Sequence, residues 1–248
     1  MGFAGRAAIV TGAAGGMGRR IALDLLAAGA DVTLVDVKDE PVPEGTGPGR
    51  VRTVTGSVAD WDFVRGAVAG AHEAFGRLDY LVNAAGVLWF DRDRSLVDID
   101  LAVWDEVMAI NLKGAVHAVR AAVPLMRASG GAMVHISTIQ ALRGDSRPQD
   151  AYQASKAGLI ALSKSIAIQC AGDRIRSNCV LPGPTASPMQ ARWCADPALE
   201  AATARAVPLG RVGTVGDMSA ACLFLLSDRA GFITGTELVV DGGITALP

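Results

Sequence analysis

The chain has 248 residues, half of them hydrophobic, and a formal net charge of −2. A chain this long buries most of its apolar surface without disulfides or metals, and α/β folds of about 250 residues form one domain. The charge leaves no electrostatic footprint for nucleic acid, and no apolar stretch reaches the ~18 residues that a membrane helix needs. The cysteines Cys170, Cys179, Cys194 and Cys222 show neither metal-ligand spacing nor disulfide density, so no metal site is expected. The opening MGFAGRAAIVTG runs straight into a strand-like segment, and the lipidation pattern at Gly2 fails at Arg6. A cytoplasmic protein is therefore expected.

Short β-branched runs alternate with long Ala/Leu-rich helical stretches, the pattern of a parallel sheet with crossover helices. The predicted order begins with a strand at 7–10, a helix at 16–28, strands at 32–35 and 51–55, a helix at 61–75 and a strand at 80–82. It continues with a long helix at 101–128, a strand at 133–136, a helix at 151–170, a strand at 177–181, a helix at 216–226 and a strand at 238–240. Asp150 followed by Gln153 predicts a capping box at the start of the 151–170 helix. The strand runs barely alternate, as expected when helices cover both faces of a sheet. The predicted fold is one α/β domain over 1–248, a doubly wound parallel sheet of about seven strands. A long loop, 182–208, follows a strand at the position where such sheets hold ligands.

The first strand ends in Thr11-Gly12-Ala13-Ala14-Gly15-Gly16-Met17-Gly18, and a helix begins there. Backbone amides approach a pyrophosphate closely only where side chains are absent, and a helix N-terminus adds partial positive charge. The turn therefore predicts a Rossmann-type dinucleotide site made by Gly12, Gly15, Gly16, Met17 and Gly18. Asp36 ends the second strand. A carboxylate there accepts from a ribose 2′-hydroxyl and repels a 2′-phosphate, which predicts NAD(H) over NADP(H).

Tyr152 and Lys156 stand four apart on a predicted helix and share one face. A phenol with a pKa near ~10 shuttles protons poorly at neutral pH, and a nearby ammonium stabilises the phenolate. With Asn83–Gly86 (NAAG), Asn111 in INLKG, Ile136–Thr138 (IST), Pro182–Gly183 and the closing ITGTELVVDGG, the chain resembles the short-chain dehydrogenase/reductase family over essentially its full length. The resemblance implies hydride transfer between a nicotinamide and a carbinol or carbonyl carbon. Tyr152 would be the general acid/base, and Lys156 would lower its pKa and bind the nicotinamide ribose. Asn111 would hold a water leading from Lys156 to solvent, and Thr138 would hydrogen-bond the substrate oxygen, with Ser137 as the alternative.

The resemblance also implies cofactor contacts at Asn83, Ala84, Gly86, Pro182 and Gly183. Ser57 stands where an acidic residue often meets adenine, so that contact falls to its hydroxyl and the Val58 backbone. The carboxamide-binding threonine aligns with Ser187, and Thr185 could substitute for it. Trp89, Phe90, the 142–149 segment including Gln149, Met189, Gln190, Trp193 and Cys194 are candidate walls of an apolar substrate pocket closed by a lid. Arg143 and Arg147 could meet an anionic group or face solvent. The expected reaction interconverts a small-to-medium, apolar or cyclic secondary alcohol and its ketone. The alternatives are a 3-oxoacyl-thioester reductase using NADPH and a catalytically silent NAD-binding regulator. Family members commonly form homotetramers, sometimes dimers, through helices such as 101–128 and 151–170.

Overall fold

The computed structural model describes residues 2–43 and 45–248; the side chain of Cys194 lies outside the described set. Seven strands form one sheet: β1 (Ala7–Thr11), β2 (Asp31–Asp36), β3 (Val51–Thr55), β4 (Tyr80–Asn83), β5 (Gly131–Ile136), β6 (Ile175–Pro182) and the last sheet strand, Glu237–Val240. Their spatial order is β3-β2-β1-β4-β5-β6 followed by Glu237–Val240, and every pairing is parallel. The chain winds outward from β1 in one direction and then, from β4, in the other. The crevice between β1 and β4 is therefore the switch point at which such sheets bind ligands.

Crossover helices cover both faces. Helix α1 (Gly16–Ala27) packs on one face with α8 (Val215–Leu226), through Ile21, Leu25, Cys222 and Leu225. Helices α2 (Trp61–Phe75), α4 (Gly114–Met126) and α5 (Asp150–Gln169) cover the other through Val64, Val68, Ala118, Ala122 and Ile166. In β1 the alternation is direct: Ala8 and Val10 enter the first core, and Ile9 the second. Burial on both faces explains the continuous apolar runs.

Three expectations need correction. The predicted 101–128 helix is α3 (Leu101–Met108), a π-helical turn (Ala109–Lys113) and α4 in unbroken succession. Asp150 does not cap α5. It is the first helical residue, and its carboxylate accepts the Leu96 backbone N–H at 2.7 Å. The 182–208 loop is also not irregular. It contains β7 (Thr185–Ala186), α6 (Ala191–Ala195) and α7 (Pro197–Ala206), and β7 pairs in parallel with β8 (Gly213–Thr214) just before α8. Pro at the first turn and the Asp196 side chain, which accepts from Ala198 and Leu199, start α7. No described helix is long and apolar enough to cross a membrane.

Candidate active site

A cavity of about 720 Å³ opens where the segments leaving β1, β2, β4, β5 and β6 converge. Its floor is the glycine turn. Gly12 has φ +70°, and a Cβ there would fall 2.6 Å from the Ala85 backbone nitrogen; a Cβ on Gly18 would fall 2.2 Å from the Gly12 carbonyl oxygen. Only glycine permits this backbone and this approach of turn to helix. The N-cap of α1, Gly15, makes no side-chain cap, and no acidic residue occupies the first turn. Free amides at a helix N-terminus, lining a cavity and without a carboxylate of their own, fit a phosphate. At the rim the Asp36 carboxylate accepts the Ala14 and Lys38 backbone N–H groups, each at 3.0 Å.

Gly12, Gly15, Gly16, Met17, Gly18, Asp36, Ser57, Val58, Ala84, Gly86, Pro182, Gly183, Thr185 and Ser187 all line this cavity. Asn83 does not. Its Nδ2 meets His135 Nδ1 at 3.0 Å, His135 Nε2 meets Ser177 Oγ at 3.1 Å, and Ser163 extends the chain. Asn83 thus ties β4, β5, β6 and α5 together. Burial pushes the His135 imidazole down to about 4, so it is neutral.

Tyr152, Lys156 and Thr138 face the same cavity, from α5 and from the end of β5. The Thr138 hydroxyl favours the ionised form of the Tyr152 phenol, while Ser137 Oγ donates to the Lys156 backbone carbonyl at 2.8 Å. Lys156 Nζ donates to the Ile136 carbonyl at 2.9 Å and lies 5.8 Å from the Tyr152 ring centroid. Burial dominates both titrations: it raises the phenol to about 12, against the smaller opposing effect of Thr138, and lowers the ammonium to about 8. In this geometry, then, the phenol shifts upward. Spacing alone brings the ammonium near the phenol, but the desolvation that outweighs it exists only once α5 is packed.

Asn111 sits in the π-helical turn, behind the cavity wall. Its Oδ1 accepts the Val87 N–H at 2.7 Å, and its Nδ2 donates to the Val87 carbonyl and Ser155 Oγ. A Cβ on Gly86 would lie 3.0 Å from Lys156 Nζ and 3.3 Å from Asn111 Oδ1, so the two polar groups face one another's neighbourhood across that glycine. π-turns recur at functional sites because they redirect one side chain out of helical register.

Among the predicted pocket walls, Met189 and Trp193 line the cavity, and Trp89 and Gln149 do not. Trp89 packs on a separate apolar cluster with Val103, Val107 and Ala151 and carries Arg92 on its face. Gln149 is the buried N-cap of α5. Sequence reasoning missed Asp93, whose two oxygens accept the Ala151 and Tyr152 N–H groups at 3.1 and 2.8 Å. It also missed Arg192 in the wall, whereas Asp145, which lines it too, falls within the expected 142–149 segment. An acid capping a helix 58 residues further along leaves no local pattern.

Sheet, switch-point cavity and uncapped glycine turn together are those of a Rossmann-type dinucleotide-binding oxidoreductase. A family profile described as enoyl-(acyl carrier protein) reductase matches residues 12–245. The 3-oxoacyl-acyl-carrier-protein reductase of Thermotoga maritima is 36% identical over 97% of this chain and 98% of its own length. The trans-4-hydroxycyclohexanecarboxylate dehydrogenase of Sinomonas cyclohexanicum is 37% identical over 97% of this chain and 93% of its own. The ligand-free aldohexose dehydrogenase of Thermoplasma acidophilum superposes with a TM-score of 0.91 at 28% identity, covering 99% of this chain and 96% of that one. The chain belongs to the short-chain dehydrogenase/reductase family. It is an oxidoreductase of the alcohol/ketone class, in a family that uses nicotinamide cofactors.

Proposed function

We propose that this protein interconverts a small-to-medium, apolar or cyclic secondary alcohol and its ketone, using NAD(H). The observation that carries the reading is the meeting of Tyr152, Lys156 and Thr138 on the wall of the cavity whose floor is the glycine turn. The bound nicotinamide would supply the hydride acceptor or donor. The chain does the rest. Gly12–Gly18 and the α1 N-terminus hold the phosphates, and Asp36 takes the ribose hydroxyls. Thr138 orients the substrate oxygen, and Tyr152 Oη exchanges the hydroxyl proton with it. Lys156 brings a positive charge to that neighbourhood and binds the nicotinamide ribose. With Ser137 Oγ bonded to the backbone, Thr138 is the better placed of the two hydroxyls.

Tyr152→Phe removes the proton carrier and preserves the ring. Alcohol-dependent reduction of NAD should fall by ~10³-fold or more while NADH still binds, as read by absorbance and by cofactor fluorescence. Turnover within a few-fold of wild type would dismiss the assignment. Cyclic substrates draw support from the Sinomonas relative, named for a hydroxycyclohexanecarboxylate.

The Thermotoga relative supports a second reading, reduction of a 3-oxoacyl thioester, for which NADPH is the expected donor. Asp36 speaks against it, because a fixed carboxylate at the cavity rim repels a 2′-phosphate. Rates with NADH and NADPH side by side decide the point: NADH should be favoured, and Asp36→Ala should narrow the ratio.

A homo-oligomer, tetramer or dimer, is proposed as well. Val116 on α4 and Ile168 on α5 are exposed apolar side chains on the helices expected to meet. Sedimentation at micromolar concentration would overturn this by showing a monomer. Cytoplasmic residence is also proposed, with cell fractionation as its check.

A further inference from the structure

Beyond the reacting hydroxyls, the cavity wall turns cationic. Arg143, between β5 and α5, and Arg192, on α6, both line it. The guanidinium carbon of Arg192 lies 4.2 Å from the Phe90 ring centroid, and that of Arg147 lies 4.9 Å from the same centroid. A ring face holds cations in place without neutralising them. None of the three arginines forms an ion pair among the described residues. Arg192 Nε donates to a neutral acceptor, Gln190 Oε1, at 2.9 Å. The carboxylate in this neighbourhood, Asp145, is engaged by Gln140 Nε2 and the Arg147 backbone N–H. Burial and the like charge of Arg147 lower the basicity of Arg192, and Asp145 opposes them only in part.

An independent observation points the same way. Trp193 lines the same cavity, is only 4% exposed, and its indole N–H is buried without a partner among the described residues. A buried donor without an acceptor is destabilising, and a half-buried guanidinium without a counter-ion is more so. An anionic acceptor in the cavity satisfies the guanidinium. The cationic wall shares a segment with the chemistry, since Thr138 and Arg143 both line the cavity from the stretch between β5 and α5. Asp36 and Glu40, the acids that also line the cavity, follow β2 at the glycine-turn end.

We propose that Arg192, with Arg143 and Trp193, forms a subsite for a compact anionic group, a carboxylate or sulfonate, carried by the substrate at the end remote from its carbinol. The proposal rests on the alcohol dehydrogenase reading above and narrows it: the substrate has an apolar body and one charged end. Phe90 stiffens the cationic wall, and Trp193 completes the lining beside Arg192.

The test uses three unreactive probes on the protein–NADH complex by calorimetry: cyclohexanecarboxylate, cyclohexanesulfonate and the uncharged cyclohexanecarboxamide. At least one anion should bind about tenfold more tightly than the amide, the scale of one charge-assisted hydrogen bond. The anion that binds better identifies the headgroup. Arg192→Gln should abolish the anion-to-amide ratio, and Arg192→Lys, which keeps charge without the fork, should retain part of it. Equal binding of all three probes overturns the proposal. So does an Arg192→Gln variant that loses NADH affinity instead, which would assign this arginine to the cofactor phosphates. Oxidation of cyclohexanol that depends on Tyr152 tests the underlying reading separately. Turnover without anion preference removes only the subsite, and anion preference without turnover removes only the alcohol chemistry.

Discussion

Lys156 holds a buried charge that the cofactor-free protein stabilises poorly. Its ammonium has one backbone carbonyl partner and a titration point pulled down to about 8 from the ordinary 10.5. For a base whose folded pKa lies below its unfolded one, the penalty is fully present below the folded value. It disappears as pH rises from there toward the unfolded value, because the unfolded chain then binds more protons. Between about pH 8 and pH 9.5 the cofactor-free wild type should therefore gain on the order of 1–2 kcal/mol relative to Lys156→Met. Urea midpoints of the two proteins, compared across pH 7 to 9.5, would show it. A pH-independent difference would mean that the amine is better solvated than its burial implies. Tyr152 carries the mirror problem: burial holds its phenol neutral at every physiological pH. As a proton donor it is ready at once. As a base it needs the positive charges of Lys156 and an oxidised nicotinamide beside it, which couples proton abstraction to cofactor occupancy.

At the scale of elements, α5 is aimed by a residue it does not contain. Asp93, 1% exposed, receives the first amides of the helix, including that of Tyr152 itself. Asp93→Ala should reduce stability by about 1–2 kcal/mol, the range for a lost cap. It should also lower kcat more than it raises the KM for alcohol, since the Tyr152 backbone loses its anchor. Thermal melts and steady-state kinetics test both; a stability loss with unaltered kcat would make the cap purely structural. The elements themselves were legible in the sequence wherever periodicity was long, as in α2, whose predicted 61–75 span is the observed one. The π-turn was not. Ala109–Lys113 has ordinary helical composition, and the hydrogen bonds Asn111 makes there, to Val87 and Ser155, reach partners distant in the chain. Asp150 misled for a related reason: its spacing to Gln153 satisfies a local rule, but Asp93 caps the Ala151 and Tyr152 amides through space and the Gln153 amide goes to the Gln149 carbonyl. Trp89 read as a pocket wall because it follows β4, yet its neighbours on α3 draw it into an apolar cluster.

At the scale of the molecule, the parallel, doubly wound sheet and the cavity position followed from the alternation of runs and from the glycine turn. The sheet is buried on both faces, and its pattern is local. The cationic end of the cavity was legible only in part: Arg143 and Arg147 stood out as possible anion partners, but Arg192 on α6 joins Arg147 at Phe90 only once the chain has folded. The β7–β8 pairing has a consequence for how this enclosure breathes. Thr185 and Ala186 are clamped to Gly213 and Thr214, and the clamp continues into the capping box that starts α8. Beyond it, α7 contributes no buried residue. Local opening is easiest where buried contacts are fewest. Backbone amides of 197–206 should therefore exchange with deuterium much sooner than those of Thr185 and Ala186. Addition of NADH with a carboxylate ligand should slow the first group selectively. Uniform exchange across 185–206 would mean that the whole segment unfastens as one piece. On the clamped reading, entry and exit of the substrate have their own clock, set by a few weakly held turns of helix and independent of the stability of the sheet.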